Sequence, residues 1–486
     1  MAQEFKIIEP LSSFGEVVVT QMEPKCQVDA TYGVRSKTDT ETFTDGSTGS
    51  VSAYIAANGG REIKCTTGTA VGGYGIVRTR RAIKYRAGQG VMARLTARFE
   101  VPPLLGGARA GLIGVGTELS FGYDSNQRFG ILYRTGGKQE IRDLTINVAP
   151  GGSETLTITL NSVAYTVNVT SGTTSHAGFQ IAASTAFGST WLVKAMGNKV
   201  TFLSSAVGPK TGTYSLTSTG STTGTFVTVD SGVAVTDQWT YKEDWNLQPA
   251  FRLDPTKGNV YQIQLQYLGY GAIVFHIENI GTGEFVPVHV IKYANANTGP
   301  SLALPILKPS VAAFSLGSST SFSIYTGSMS GFIEGKVRIT RNPQAKSNSK
   351  SGVGTSLTNI LSIRNDIVFN STTNACELSP RYLAVAVEGS KPAECQLILN
   401  ATLGGEPVWV DIDTDNSFAE YDVTGTTAAV GTGQVVYSTA ISKSGQILIN
   451  LTDLDIVLTR LDTLTVAVAA TATTVDVSAS LVWIEE

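Results

Sequence analysis

The sequence predicts an all-β protein: two β-sandwich domains, jelly-roll or lectin/Ig-like, with a small mostly-β insertion domain. Three observations predict it. Between Asp254 and Leu302 the apolar residues alternate, Val260, Ile263 and Leu265, then Ile273, Phe275 and Ile277, then Val286, Val288 and Val290. A period of two places one face of each run on a core, and Gly269, Gly271, Gly281 and Gly283 supply the reversals between runs. The composition agrees. Only 15% of residues are charged and 42% are hydrophobic, against about 25% charged in ordinary soluble domains, so disorder is excluded and Ser, Thr, Gly and Asn fill surfaces and turns. Finally, strand-like runs recur down the chain with turn residues between them, and credible helical turns are few.

Taken in order, residues 1–75 read as an amino-terminal arm with short strands such as Glu16-Val-Val-Val-Thr20. The polar tract Ser36 to Ser50 has almost nothing to bury and is expected to be an exposed arm or loop. A sandwich begins near residue 76, runs to 143, and resumes over 241–340. Residues 144–240 differ in composition and read as an inserted module. Within it, Glu154 to Val169 is a hairpin turning at Asn161-Ser162, and Ser175 to Ser184 is helical. Residues 341–354, RNPQAKSNSKSGVG, are small and polar and read as a linker. Residues 355–486 form a second, acidic sandwich, with strands at Tyr382–Val387, Cys395–Leu399, Gln446–Asn450, Leu464–Val468 and Val475–Trp483; jelly-roll and Ig-like topologies both fit.

Several segments carry a resemblance. Arg86-Ala-Gly-Gln-Gly-Val-Met-Ala-Arg-Leu-Thr-Ala-Arg-Phe99, Phe121-Gly-Tyr-Asp-Ser-Asn-Gln-Arg-Phe-Gly-Ile-Leu-Tyr-Arg-Thr-Gly-Gly137, Gly258-Asn-Val-Tyr-Gln-Ile-Gln-Leu-Gln-Tyr-Leu-Gly269 and Ile291-Lys-Tyr-Ala-Asn-Ala-Asn297 resemble a family of β-rich virion proteins. That family is met in tailed phages and large DNA viruses of aquatic hosts. The resemblance covers residues 80–340 and implies a particle component with no defined reaction. The insertion, by its order of strand, strand, short helix and strands, resembles small modules of phage tail and fibre proteins. Together these imply an exposed fibre, spike or vertex component that mediates host attachment, or else a minor capsid, cement or tail-connector protein. The expected location is the virion, after synthesis in host cytoplasm.

Charge is split along the chain. Residues 78–142 hold 12 Lys/Arg against 4 Asp/Glu, a net +8, and residues 351–486 hold 5 against 16, a net −11. Such halves attract one another between subunits within a screening length of about 8–10 Å. With many strand edges to cover, this predicts a homo-oligomer, a trimer favoured, beside other virion proteins. The amino terminus shows no basic-then-apolar secretory pattern and no run approaches the ~18 apolar residues of a membrane span, so no membrane insertion is expected. Cys26, Cys65, Cys376 and Cys395 are too few and too scattered for a disulfide framework.

Catalytic and metal chemistry find little support. His276 and His289 sit on neighbouring predicted strands, but two imidazoles fall short of the three or four ligands of a zinc site. Asp411, Asp413 and Asp415, with Asp422 in the twelfth position, have the spacing of a calcium loop, yet Asn416 replaces the usual Gly and the last ligand is Asp. The same residues fit an alternating strand with its acids on the wet face. Parallel carboxylates of this kind do not flank a glycosidic bond. No G-x-S-x-G elbow occurs, and GARAGLIGVG (107–116) is no phosphate loop. The arginines from Arg78 to Arg98 alternate like a wet strand face, which argues against nucleic acid as partner. Exposed aromatics beside turns are the natural glycan or receptor platforms, and the candidates are Tyr123, Tyr270, Trp239, Tyr241 and Trp245. No cofactor and no enzymatic activity are expected. Accordingly, a chelator should shift the melting temperature by less than about 2 °C; a larger drop restored by calcium alone would make the four aspartates ligands.

Overall fold

The computed structural model describes residues 22–35, 39–45, 47–335, 342–426 and 431–486. The expected strand Glu16–Thr20 lies outside them. The chain divides into two units, residues 1–137 with 235–339, and residues 138–234 with 340–486. Both are built from antiparallel sheets, and the fold is all-β.

The first unit is a sandwich of two large sheets. One runs Phe285–Ile291, Ile273–Glu278, Asn259–Leu265, Val91–Phe99, Ser323–Thr326, Arg61–Thr66, Ser50–Ile55, with Ser328–Glu334 and Met22–Asp29 branching from Val91–Phe99. The other runs Thr236–Tyr241, Phe129–Thr135, Thr117–Tyr123, Gly106–Gly114, Ile306–Ser315, Tyr74–Thr79, Thr40–Thr44. The alternation seen in the sequence fills the space between them: Leu95, Phe99, Tyr261, Ile263 and Phe275 from one sheet meet Leu112, Leu119, Phe121, Ile131 and Val311 from the other. Phe121 is the hub, 4.8 Å from Tyr261 and 5.4 Å from Phe275 between ring centres, a spacing at which aromatic pairs add about 0.5–1.5 kcal/mol beyond their burial.

Among the described residues of the expected amino-terminal arm, Met22–Asp29, Thr40–Thr44, Ser50–Ile55 and Arg61–Thr66 are strands of the first unit's sheets. Part of the polar tract, Thr40–Thr44, pairs with Tyr74–Thr79 as an edge strand. Its alternate threonines are β-branched and favour extended backbone without needing a core. Gly111, from the glycine-rich stretch, lies within a buried strand, where a Cβ would come 2.1 Å from the Leu119 carbonyl oxygen; close strand approach explains the glycine.

In the second unit the inserted residues form a four-stranded sheet (Trp191–Met196, Lys199–Val207, Gln139–Val148, Thr223–Asp230) and a three-stranded one (Val163–Val169, Glu154–Leu160, Ser215–Ser218). The hairpin turns through Asn161 and Ser162, both at positive φ (51° and 66°), the conformation of a two-residue type I′ turn. The helix Thr174–Ala182 starts at Thr173, whose hydroxyl accepts from His176 N, and packs on a core of Leu144, Leu156, Ile158, Val200 and Phe202. Glu154 staples the loops: its carboxylate accepts from Gly151, Ser218, Ser221 and Thr222, which holds it well below the usual carboxylate range.

The carboxy-terminal sandwich is a jelly roll. One sheet runs Asn342–Val353, Val475–Glu485, Leu378–Glu388, Gln446–Asn450, and the facing sheet carries Thr358–Asn365, Thr463–Ala470, Ala393–Leu399, Gln434–Ile441, extended by Ala419–Asp422 and Val410–Asp411. Consecutive strands cross between the sheets in the two interleaved Greek keys that define this topology. Trp483, Leu383, Val385, Leu397 and Val466 fill it. Cys395 is buried there and is not bridged to Cys376.

Residues 342–353 correct the expected linker. They form the longest strand among the described residues, paired with Val475–Glu485 from Asn342 opposite Glu485 to Lys350 opposite Val477, with a bulge before Val353 opposite Val475. Their composition offers no apolar face, but Lys350 reaches the carbonyls of Asn359 and Gly425, and Asn348 that of Ile360. Main-chain pairing and these caps replace the missing hydrophobic signal. Neighbouring N–H groups of a strand point to opposite edges, so one of Ser347→Pro and Asn348→Pro must delete a ladder bond at a cost of about 3 kcal/mol. The more harmful of the two should lower the melting temperature by roughly 6–12 °C; a segment that tolerates both substitutions is a linker after all.

Candidate functional site

The aromatic candidates separate by burial. Tyr123 and Trp245 belong to the first core, 6% and 1% exposed, so neither can be an exposed platform; both face inward because their positions in the alternation do. Tyr270 is exposed on a loop beside Tyr293, with its hydroxyl donating to the Thr298 carbonyl. Trp239 and Tyr241 come together. They occupy alternate positions of the edge strand Thr236–Tyr241, half-buried, with ring planes within 4° and centres 6.1 Å apart.

This pair is held by the sheet beneath it. Trp239 stands opposite Leu132 and Tyr241 opposite Gly130. The Arg109 guanidinium lies 4.9 Å from the Trp239 ring and 4.8 Å from Phe314, and Arg128 lies 3.4 Å from the Tyr241 ring. The Tyr241 hydroxyl donates to Asp124 at 2.9 Å. A chain of charges runs alongside: Arg109 to Glu118 at 3.2 Å, Glu118 to Arg134 at 3.2 Å, and Arg134 to both oxygens of Asp237 at 2.6 and 2.8 Å. Burial pulls the Arg109 guanidinium down from its ordinary value, opposed by Glu118. Two parallel rings beside an oriented carboxylate and guanidinium can take a ligand with an apolar face and a polar rim, which is the chemistry of a pyranose. Sequence reasoning found the rings and missed Arg109, Glu118, Arg134 and Asp237; they lie one each on four strands and form a row only once those strands are placed side by side.

The aspartates do not converge. The segment after Val410–Asp411 leaves the strand and turns, with Asp413 accepting from the main-chain N–H of Asp415 and Asn416. Asp422 is buried and accepts from Val408 N, Gly425 N, Asn359 Nδ2 and Thr424 Oγ1. Asp411 instead joins Asp366 and Glu420, whose carboxylate oxygens lie within 4.8 Å of one another. Two cations neutralise this set. Lys194, from the inserted module, bonds Asp366 at 2.5 Å and Glu420 at 2.9 Å, and Arg364 bonds Glu420 at 2.7 Å. The Lys194 ammonium thus bridges two of the three carboxylates, Asp366 and Glu420. Beside the cluster is a cavity of about 360 Å³ lined in part by Asp143, Lys199, Asp366, Asp411 and Phe369.

The histidines also stay apart. His289 pairs across from Phe275 while His276 follows a bulge, and burial pulls both down, His276 to about 4. The arginines of the basic segment are engaged internally: Arg78 with Glu41, Arg94 with Gln262, Arg98 with Glu62.

No protein-family model matches the chain, and no curated protein matches it in sequence. Among solved structures, it is similar to a legume lectin-like domain from Entamoeba histolytica, 9% identical at a TM-score of 0.24 over 60% of this chain and 89% of that one. It is similar to the botulinum neurotoxin serotype D/C binding domain at 8% identity and 0.25, over 93% and 98%. A chain of Sulfolobus Turreted Icosahedral Virus matches at 9% and 0.16, over 90% and 89%. Likenesses this slight carry no argument about what the chain does.

The buried cluster generates a pH dependence. Three carboxylates face two cations. Burial and the nearby Glu420 push Asp366 up to about 6 from 3.8, and burial likewise raises Asp411, while Arg364 and Lys194 hold Glu420 down against its burial. A carboxyl whose folded value exceeds its unfolded value adds stability as pH falls through the folded value, here between about 6 and 4. Relative to Asp366→Asn, the wild-type melting temperature should therefore gain as pH is lowered from 7 to 5, by the equivalent of about 1.4 kcal/mol. A constant difference across that range refutes the cluster's titration.

Proposed function

We propose that the chain is a non-enzymatic virion protein, displayed as a fibre, spike or vertex component and mediating host attachment by binding a cell-surface glycan. The observation that carries this reading is the Trp239–Tyr241 pair: parallel, part-exposed rings fixed from behind by Arg109 and Arg128, next to the Arg134–Asp237 pair. Jelly rolls serve capsid and lectin domains alike, and the sequence resemblance to β-rich virion proteins points the same way. Tyr270 is a weaker candidate, since it is a single exposed ring packed against Tyr293 of a neighbouring loop with no parallel partner.

A second reading, a minor capsid, cement or tail-connector role, is favoured by a different surface. The outer face of the four-stranded jelly-roll sheet carries Ser347, Ser480, Ala384 and Leu448 in one row and Ala345, Val482, Tyr382 and Asn450 in the next. These two rows carry no charge within a segment of net charge −11, and the charges of this face, Glu388 opposite Asp476, lie two rows beyond Ser480. Subunits of a homo-oligomer, a trimer above all, would meet there with least repulsion.

A glycan array probed with the purified chain separates the two. Binding that falls at least about tenfold in Trp239→Ala, the loss of roughly 1.4 kcal/mol from one stacking ring, and survives in Tyr270→Ala supports attachment. A blank array, together with hundreds of copies per purified particle, supports the structural role.

A further inference from the structure

Three loops of the first unit end in water on aliphatic side chains. Val71 is 69% exposed, Leu104 63%, Leu316 53%, Leu105 52% and Val101 50%. The loops are neighbours: Leu316 N donates to Leu105 O at 2.6 Å, Ser315 N to Gly73 O at 2.8 Å, and Glu100 N to Ser323 O at 3.0 Å. Residues 66–73, 101–107 and 315–322 contain no charged side chain.

The strand registers place these loops at one end of the unit. Val91–Phe99 ends there, Gly106–Gly114 begins there and Ile306–Ser315 ends there. The chain leaves the unit beyond Thr135, returns at Thr236 opposite it, and leaves again beyond Glu334, whose neighbour Ile333 pairs with Val91 at the start of its strand. All three connections lie at the other end of the strands.

Leu105 adds a second, independent observation. Its φ is +61°, a left-handed conformation that a bulky side chain adopts only under strain. Its N–H donates to Ser125 O and its carbonyl accepts from Leu316, so the strained backbone is held in place with the leucine outward. Asparagine or glycine would take this conformation freely. Strain that keeps an apolar group in solvent points to a use for that group.

We infer that this end of the first unit is a lipid-contacting tip, in which Val71, Val101, Leu104, Leu105 and Leu316 enter the interfacial layer of a bilayer. The patch amounts to something on the order of 500 Å² of apolar surface, within the range of functional patches but short of the roughly 800 Å² per partner that a stable protein interface buries. It projects as loop tips and offers neither a groove nor a flat strand face, which disfavours a second copy of the chain. Its five projecting side chains carry no hydrogen-bonding group, and the exposed hydroxyls of Thr69, Ser319, Thr320 and Ser321 lie beside them without an exposed aromatic ring in the same loops. A bilayer interface needs neither shape complementarity nor a fixed partner, and apolar groups settle some 5–10 Å into it. The nearby charges are satisfied, Arg128 by Glu243 at 2.5 Å, so attraction to anionic lipid is not required. Such contact differs from spanning: among the described residues no helix is long and apolar enough to cross a membrane. It departs from the sequence expectation of no membrane insertion, and it stands apart from the glycan reading.

Flotation of the full chain with phosphatidylcholine vesicles tests it. The wild type should float in low and high salt alike, and Trp239→Ala should float equally well. The triple variant Leu104→Ser, Leu105→Asn, Leu316→Ser should lose most of its binding, roughly tenfold or more for each buried leucine removed. Leu105→Asn alone should bind about tenfold more weakly while melting at the same or a higher temperature, because asparagine relieves the strain. The inference is overturned if the chain ignores phosphatidylcholine, if it binds only anionic vesicles and high salt removes it, or if the triple variant floats like wild type. Loss of self-association in the triple variant, with no lipid binding in the parent, would assign the tip to a second copy.

Discussion

One ladder underlies the first unit: the six pairs that join Phe129–Thr135 to Thr236–Tyr241, from Gly130 opposite Tyr241 to Thr135 opposite Thr236. The chain departs at one side of this ladder and returns at the other after about a hundred residues. Closing a flexible loop of that length costs about 4 kcal/mol beyond a constant term, on the logarithmic scaling of loop entropy. The excursion folds on a core of its own, so its ends are not those of a flexible loop, and the ladder needs only to fasten them. Fastening is tight at Gly130, where a Cβ would lie 2.6 Å from the Thr240 carbonyl. Without this edge strand there would be no Trp239, no Tyr241 and no Asp237 beside Arg134.

The second unit depends on electrostatics of a different kind. Lys194, Asp366, Glu420 and Arg364 are withdrawn from water together. Buried ion pairs recover little net stability, since desolvation offsets their attraction, but removing one partner strands the others at a cost of about 3–5 kcal/mol. Their contribution is therefore to geometry. A small apolar cluster of Ile141, Leu203 and Ile367 accompanies them, so the inserted residues share part of their interior with the jelly roll as well as having a core of their own.

Much of this was legible in the sequence, for reasons that can be named. The alternation around Ile263, Phe275 and Val288 revealed strands because those side chains are buried on one face only. Asn161-Ser162 revealed a hairpin because few residues accept two successive positive φ values. The segment 342–353 was opaque: serine, asparagine and lysine leave no periodic signature when main-chain pairing does the holding. Thr40–Thr44 was hidden in the same way. The exposure of Tyr123 and Trp245 was misjudged because proximity to glycines says nothing about which face a ring takes. The Lys194 cluster was invisible, its members 172 and 226 residues apart, and no local pattern encodes a meeting at that range. The aspartates 411, 413 and 415 were expected along one strand face, but the strand ends at Asp411 and the backbone turns at Asp413, a break that alternation alone does not announce.

The pairing of Asn342–Val353 with Val475–Glu485 has a mechanical consequence. Asn342 and Glu485 are opposite one another, so the two ends of the jelly-roll segment emerge side by side. Tension applied between those ends would peel this ladder open one pair at a time from that point, rather than shearing all its bonds at once. Peeling requires far less force than shear at equal thermodynamic stability. The jelly roll can thus be resistant to heat and yet yield readily to a pull along that one axis, whereas a load applied through Ser347 or another mid-strand position would meet many bonds in parallel.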